Sequence, residues 1–222
     1  MANRLLPFRQ YNEHDVVNLF SLDTSALTLA DMTHHEFGAH DAGVLVQISN
    51  GDMTQEPIEN AGTTLQSYLG KTDYPHVGGN YYPEVPLKVS VANGTDIPLG
   101  VTLRQTIAFD ENGEKFLYYK QKLLELYGVL PGEAVPVLTK GIVTVSAASV
   151  IAGAEPTFGG KVALGAGGKF RDDNGTNTIV GTCLAVGDRN LTSGELSSND
   201  YFAGDGSVAN GTGAYYVIKL DL

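Results

Sequence analysis

The chain has 222 residues, room for one large β domain or two small ones. Its formal charge of −11, with no run of Lys and Arg to offset it, argues against wrapping nucleic acid or adhering to an anionic membrane surface. Glycine is abundant at 27 residues and Trp is absent, which suits a turn-rich β protein better than a helical one.

Residues 1–15 read as an extended arm with no fold of its own. Leu5, Leu6, Phe8 and Tyr11 keep neither the helical nor the strand period, and Pro7 biases Leu6 towards an extended backbone. Chain ends of this kind are disordered unless something ties them down. The arm is therefore expected to be ordered by another subunit, with Arg4, Leu5, Leu6, Pro7, Phe8, Arg9 and Tyr11 making the contact.

The remainder, residues 16–222, reads as a single β-rich domain. Residues 16–22 form a first expected strand and residues 43–49 a second, which ends at the turn dipeptide Asn50-Gly51. Residues 52–86 are irregular and too long for an ordinary connection, which marks a functional or subunit-contacting loop. Tyr74, His76, Tyr81 and Tyr82 are its candidate interface residues. Residues 87–92 alternate apolar and polar and stop at Asn93-Gly94, a hairpin signal, with residues 100–109 as the returning strand.

After the turn Asp110-Glu111-Asn112-Gly113, a helix is predicted over about residues 114–127. Phe116, Tyr119, Leu123, Leu126 and Tyr127 fall on one face, and Gly128 and Pro131 stop it. From Gly132 on, Gly, Ala, Val, Ser and Thr dominate. Strands are expected at residues 134–138, 141–146, 161–164, 178–186 and 214–220, separated by glycine-bearing turns. Short strands at this spacing indicate a mainly β, antiparallel sandwich or barrel.

Cys183 stands alone, so the chain has no intrachain disulfide framework and no Cys-based zinc site, and its apolar surroundings suit a buried structural thiol. No basic stretch followed by an apolar core opens the chain, and no apolar run reaches the ~18 residues of a membrane span. Synthesis and assembly in a cytoplasm is the simplest expectation.

The densest polar cluster runs from Asp31 through His34, His35, Glu36 and His40 to Asp41. It superficially resembles a helical zinc-protease motif, but that motif sets two His four apart on one helix face. His35 and His40 are five apart with Gly38 between them, which leaves His34, His35 and His40 as weak metal candidates beside a polar interface loop. The glycine-rich stretch ending in Gly168-Lys169 fails as a phosphate loop, because Ala163 and Phe170 stand where Gly and Ser or Thr are needed. It reads as a glycine hairpin. The Asn-X-Thr triplets beginning at Asn93, Asn174, Asn190 and Asn210 read as turns. No residue set makes a catalytic claim, and no cofactor is expected.

Several stretches share a further likeness. Asn3-Arg4-Leu5 through Tyr11, Glu13-His14-Asp15-Val16 with the residues up to Phe20, Phe109 through Gly113, and residues 132–143 resemble the head decoration, or cement, proteins of tailed bacteriophages. The final segment, from Gly160-Lys161-Val162 through residues 180–186 to residues 215–220, looks like small capsid-associated β proteins of phages. The resemblance implies a non-enzymatic virion protein with a jelly-roll-like fold, assembled in the host cytoplasm. Such a protein binds the outer capsid surface and cements neighbouring major capsid protein subunits. It also implies a homo-oligomer, a trimer in preference to a dimer, whose N-terminal arm reaches across the shell.

Burying Leu5, Leu6 and Phe8 would contribute roughly 1.5 to 3 kcal/mol each. Fixing ten or more backbone residues costs about 1 to 2 kcal/mol apiece. Apolar contacts alone would not hold such an arm, so backbone pairing to a neighbour's strand edge or several arms acting together is required. Two alternatives stand beside the decoration reading. One is a receptor- or glycan-binding module of a tail or appendage, suggested by the tyrosines of the long loop. The other is a metal-dependent hydrolase using the His cluster.

Overall fold

The computed structural model describes residues 5–34, 38–51, 85–188 and 214–222. In chain order the strands are β1 (Leu5–Gln10), β2 (Val16–Val17), β3 (Ser21–Leu22), β4 (Leu45–Asn50), β5 (Lys88–Val91), β6 (Gly100–Thr102) and β7 (Gln105–Thr106). A short helix α1 (Lys120–Glu125) precedes β8 (Gly128–Val129) and β9 (Val137–Leu138). Then come β10 (Lys140–Ser146), β11 (Lys161–Leu164), β12 (Phe170–Asp172), β13 (Ile179–Asp188) and β14 (Ala214–Asp221).

The strands form two six-stranded sheets and a small parallel pair, β7 with β8. The first sheet has the order β1-β10-β14-β13-β11-β12 and is antiparallel throughout. The second has the order β2-β9-β6-β4-β5-β3 and is antiparallel except for β3 with β5. Neither closes on itself among the described residues, so the barrel form of the expected architecture does not appear.

Period-two alternation explains the clearest strand. In β14 Tyr216, Ile218 and Leu220 are buried, while Lys219 and Asp221 face out. These side chains join Val143, Val145, Val162, Leu164 and Cys183 from the first sheet, and Leu45, Val101 and Leu138 from the second, in one shared core. The far face of the second sheet is covered as well: Val44, Val46, Val89 and Val137 pack with Val129 and Val135. A third cluster, Ile107, Phe116, Leu123 and Leu130, seats α1. β13 lies close to β14 because Gly181 carries no Cβ, and one would collide with the Lys219 carbonyl.

Several expectations are corrected. The arm is the largest. Leu5–Gln10 is not a segment without a fold of its own; it is the edge strand of the chain's own first sheet. Leu5 pairs with Val145 and Leu6 with Thr144, and both leucines are buried. The register then slips, so that Arg9 opposes Val143 and Pro7 and Phe8 form a bulge. That bulge, together with burial of two consecutive leucines, erases the alternation that would have marked a strand.

The stretch 16–22 divides into β2 and β3, which lie at opposite edges of the second sheet. The turn at Asn93-Gly94 exists, with the Asp96 amide donating to the Asn93 carbonyl at 3.0 Å, but its flanking strands do not pair. β4 is inserted between β5 and β6 and hydrogen-bonds to both. The expected strand at residues 100–109 likewise splits into β6 and β7. β8 and β12 were not foreseen as strands. By contrast, the glycine hairpin is present as the antiparallel pair β11 and β12.

The helix is shorter than predicted. Residues 115–119 form tighter turns, with the Tyr118 amide bonded to the Lys115 carbonyl and the Tyr119 amide to Phe116. Phe116 and Leu123 are buried as expected, whereas Tyr119 and Tyr127 are exposed. Nor does Gly128 supply the left-handed residue beyond the helix. Tyr127 does, at φ 54°, and it is the sole non-glycine residue with positive φ among those described.

Candidate functional site

The N-terminal segment crosses from one sheet to the other within a few residues. Tyr11 follows β1 and packs against Gly141 of β10, where a Cβ would lie 2.6 Å from that of Tyr11. The Asn12 side chain then accepts a hydrogen bond from the His14 amide at 3.0 Å and caps a single 3-10 turn, Glu13–Asp15. The Asp15 carbonyl accepts from both the amide and the hydroxyl of Thr139, at 2.9 and 3.0 Å, which fixes where β2 begins.

This crossover forms one wall of an open groove of about 470 Å³, within the roughly 300–1,000 Å³ of ligand clefts. Arg9, Tyr11, Glu13, Val16 and Asn18 line that wall; Leu103, Arg104, Tyr127, Val129, Ala134 and Pro136 line the other. The second wall is held by the Leu103 amide, which donates to the Pro136 carbonyl at 2.8 Å. Tyr127 is largely exposed, and the Gly128 that follows it is wedged against Leu123 and Ile107 with no space for a side chain.

The electrostatics of the groove oppose those of the chain. Two arginines, Arg9 and Arg104, line it against a single acidic residue, Glu13. Arg9 Nε donates to the Leu6 carbonyl at 2.9 Å, which orients its plane. Among the described residues, neither arginine is paired with a carboxylate. Arginine in a groove of this composition can hold a carboxylate bidentately, while the tyrosine rings offer an apolar body with a hydrogen-bonding tip.

Of the arm residues expected to bind, the structure therefore delivers Arg9 and Tyr11 to the groove and leaves Phe8 outside it, 72% exposed. Leu5 and Leu6 are withdrawn into the protein's own packing. Arg4 lies outside the described residues, as do Tyr74, His76, Tyr81 and Tyr82 of the expected interface loop, and His35. Arg104 and Tyr127 were missed. The clue was a tyrosine standing before a glycine at the end of a helix, where that glycine would normally take positive φ.

His34 and His40 are both buried. His34 Nδ1 lies 3.3 Å from Gln105 Nε2, and the His40 carbonyl accepts from the Thr106 amide at 2.7 Å. Both histidine segments thus dock on β7. Asp41 accepts from the Gly38 amide at 3.0 Å, and Asp31 closes a capping box with Thr28. Among the described residues, no three His, Cys, Asp or Glu side chains come together as a metal site.

A second charged feature lies at the turn before α1. The Asp110 carboxylate accepts from Lys122 Nζ at 2.6 Å and from the amides of Asn112 and Glu114 at 2.9 and 2.7 Å. The lysine contact, helped by those amides, holds the carboxyl at about 2 despite the opposing effect of desolvation. Its geometry ties turn to helix. Cys183 is fully buried, and desolvation pushes its thiol up, away from the reactive thiolate.

A scan against protein-family models matches no family, and comparisons with curated proteins and with solved structures give no match.

Proposed function

We propose that this chain is a structural protein of a phage virion, which binds the outer capsid surface and cements neighbouring major capsid protein subunits. The observation that carries the reading is the N-terminal segment. It is pinned by its own sheet, turns Phe8 outward at a bulge, and delivers Arg9 and Tyr11 to an open groove. A pre-ordered contact surface loses little entropy on binding, which removes the deficit that a free arm would carry. Pro7 and the bulge blunt strand addition at the β1 edge, so side chains provide the contact rather than backbone pairing.

The two sheets contributing to one core support the sandwich form, and we read it as jelly-roll-like. We further propose a homo-oligomer, with the trimer preferred, on the virion surface after assembly in the host cytoplasm. The test is co-sedimentation with expanded heads that lack their decoration protein. Replacing Phe8, Arg9 and Tyr11 together with alanine is expected to abolish binding while leaving the body folded. Undiminished sedimentation of that folded variant would refute the assignment.

A glycan- or receptor-binding module is the second reading, favoured by the exposed rings of Tyr118, Tyr119 and Tyr127 around α1. It predicts binding to cells or to a glycan array in the absence of shells.

A further inference from the structure

We propose that the groove between the β1–β2 crossover and the α1–β8 corner is a docking site for an extended, acidic segment of a partner polypeptide. Its carboxylates would pair with Arg9 and Arg104, and its backbone would lie between Tyr11 and Tyr127. The proposal uses the same groove as the capsid reading, but it does not require the partner to be a shell protein.

Charge is the first argument. In a chain of net charge −11, two arginines line one groove and neither has a carboxylate partner among the described residues. Because Arg9 Nε is already spent on the Leu6 carbonyl, its remaining donors are held in a fixed fork that suits a carboxylate. Shape is the second. The groove runs past several residues of both walls, with Pro136 half-buried above the core residues Leu103 and Val129, so its length suits a chain rather than a lone anion. The exposed ring of Tyr127 is held there by a backbone conformation that tyrosine seldom adopts. The third argument separates classes of polyanion. A nucleic acid carries phosphates past the whole acidic body, where two arginines do not offset the repulsion, whereas a short acidic segment places its charge on the groove alone.

The test selects a yeast-displayed library of short random peptides on the full-length protein, then measures selected peptides by fluorescence anisotropy. Enriched peptides are expected to carry Asp or Glu. Their affinity should fall roughly tenfold or more in R9Q/R104Q, and also at high salt. Y127G, which retains the backbone conformation while removing the ring, should weaken binding with an unchanged circular dichroism spectrum. Enriched peptides without acidic bias would overturn the proposal, as would undiminished binding by folded R9Q/R104Q. So would a heparin oligosaccharide or single-stranded DNA that occupies the groove more tightly than any selected peptide. Failure of shell binding with success here would sink the capsid reading and leave this one standing.

Discussion

Truncating Leu5 to alanine separates a folded first strand from a free arm. Leu5 is 5% exposed and packs in the core shared by both sheets. Removing its buried branch forfeits transfer energy and leaves a cavity, and such substitutions cost about 2 to 5 kcal/mol. An edge strand relaxes more readily than a central one, so about 3 kcal/mol is expected. At about 2.1 cal/mol/K of unfolding entropy per residue, a chain of this length should then lose roughly 6 °C in Tm. Phe8 provides the internal control. It is 72% exposed on the bulge, and F8A should stay within about 0.5 kcal/mol of wild type. Urea denaturation of both variants, followed by circular dichroism, measures the difference. Equal midpoints for L5A, F8A and wild type would show that β1 contributes nothing to the body, and the free-arm description would return.

Three further outcomes are expected. Thr144 is buried on β10 and its hydroxyl has no hydrogen-bond partner among the described residues, so T144V should gain about 1 to 2 kcal/mol in urea; a loss would reveal a partner for that hydroxyl. In Y127G, relief of the left-handed backbone, about 1 to 2 kcal/mol, outweighs the roughly 0.5 to 1 kcal/mol entropic cost of glycine. Since the ring is 73% exposed, thermal melts should show unchanged or slightly raised stability, and a clear drop would mean the ring packs. Asp110 has a folded pKa of about 2, below its ordinary 3.8, so its stabilisation is complete above 3.8 and vanishes as pH falls through about 2. The stability gap between wild type and D110N should therefore hold at neutral pH and close in acid, and a gap that widened on acidification would contradict the sign.

How much was legible in the sequence depended on whether a strand kept its own period. β14 could be read directly because Tyr216, Ile218 and Leu220 alternate with outward residues, and β11 was bounded by Gly160 and Gly165. β1 was illegible because its two leucines point to opposite faces and both are covered, after which the bulge shifts the phase. The Asn93-Gly94 turn was read correctly as a local event. What it joins is tertiary, since nothing local says that β4 will insert between β5 and β6. In the helix, the spacing of Phe116 and Leu123 was a real core signal, but the tyrosines at the same period reflect exposure instead. The groove was half legible. Arg9 and Tyr11 stood out near the N-terminus, whereas Arg104 and Tyr127 reach it only through the crossing of two sheets.

The pairing of Leu5 with Val145 has a temporal side. β1 waits for a partner encoded about 140 residues later, which at roughly 5 to 20 residues per second is an interval of about 7 to 30 seconds. Throughout it, β1 is a sticky end without a seat; when β10 emerges, that seat is equally open to the β1 of another nascent chain. Exchange of β1 between neighbouring nascent chains would therefore rise with local chain concentration during translation, before any finished surface has met its partner.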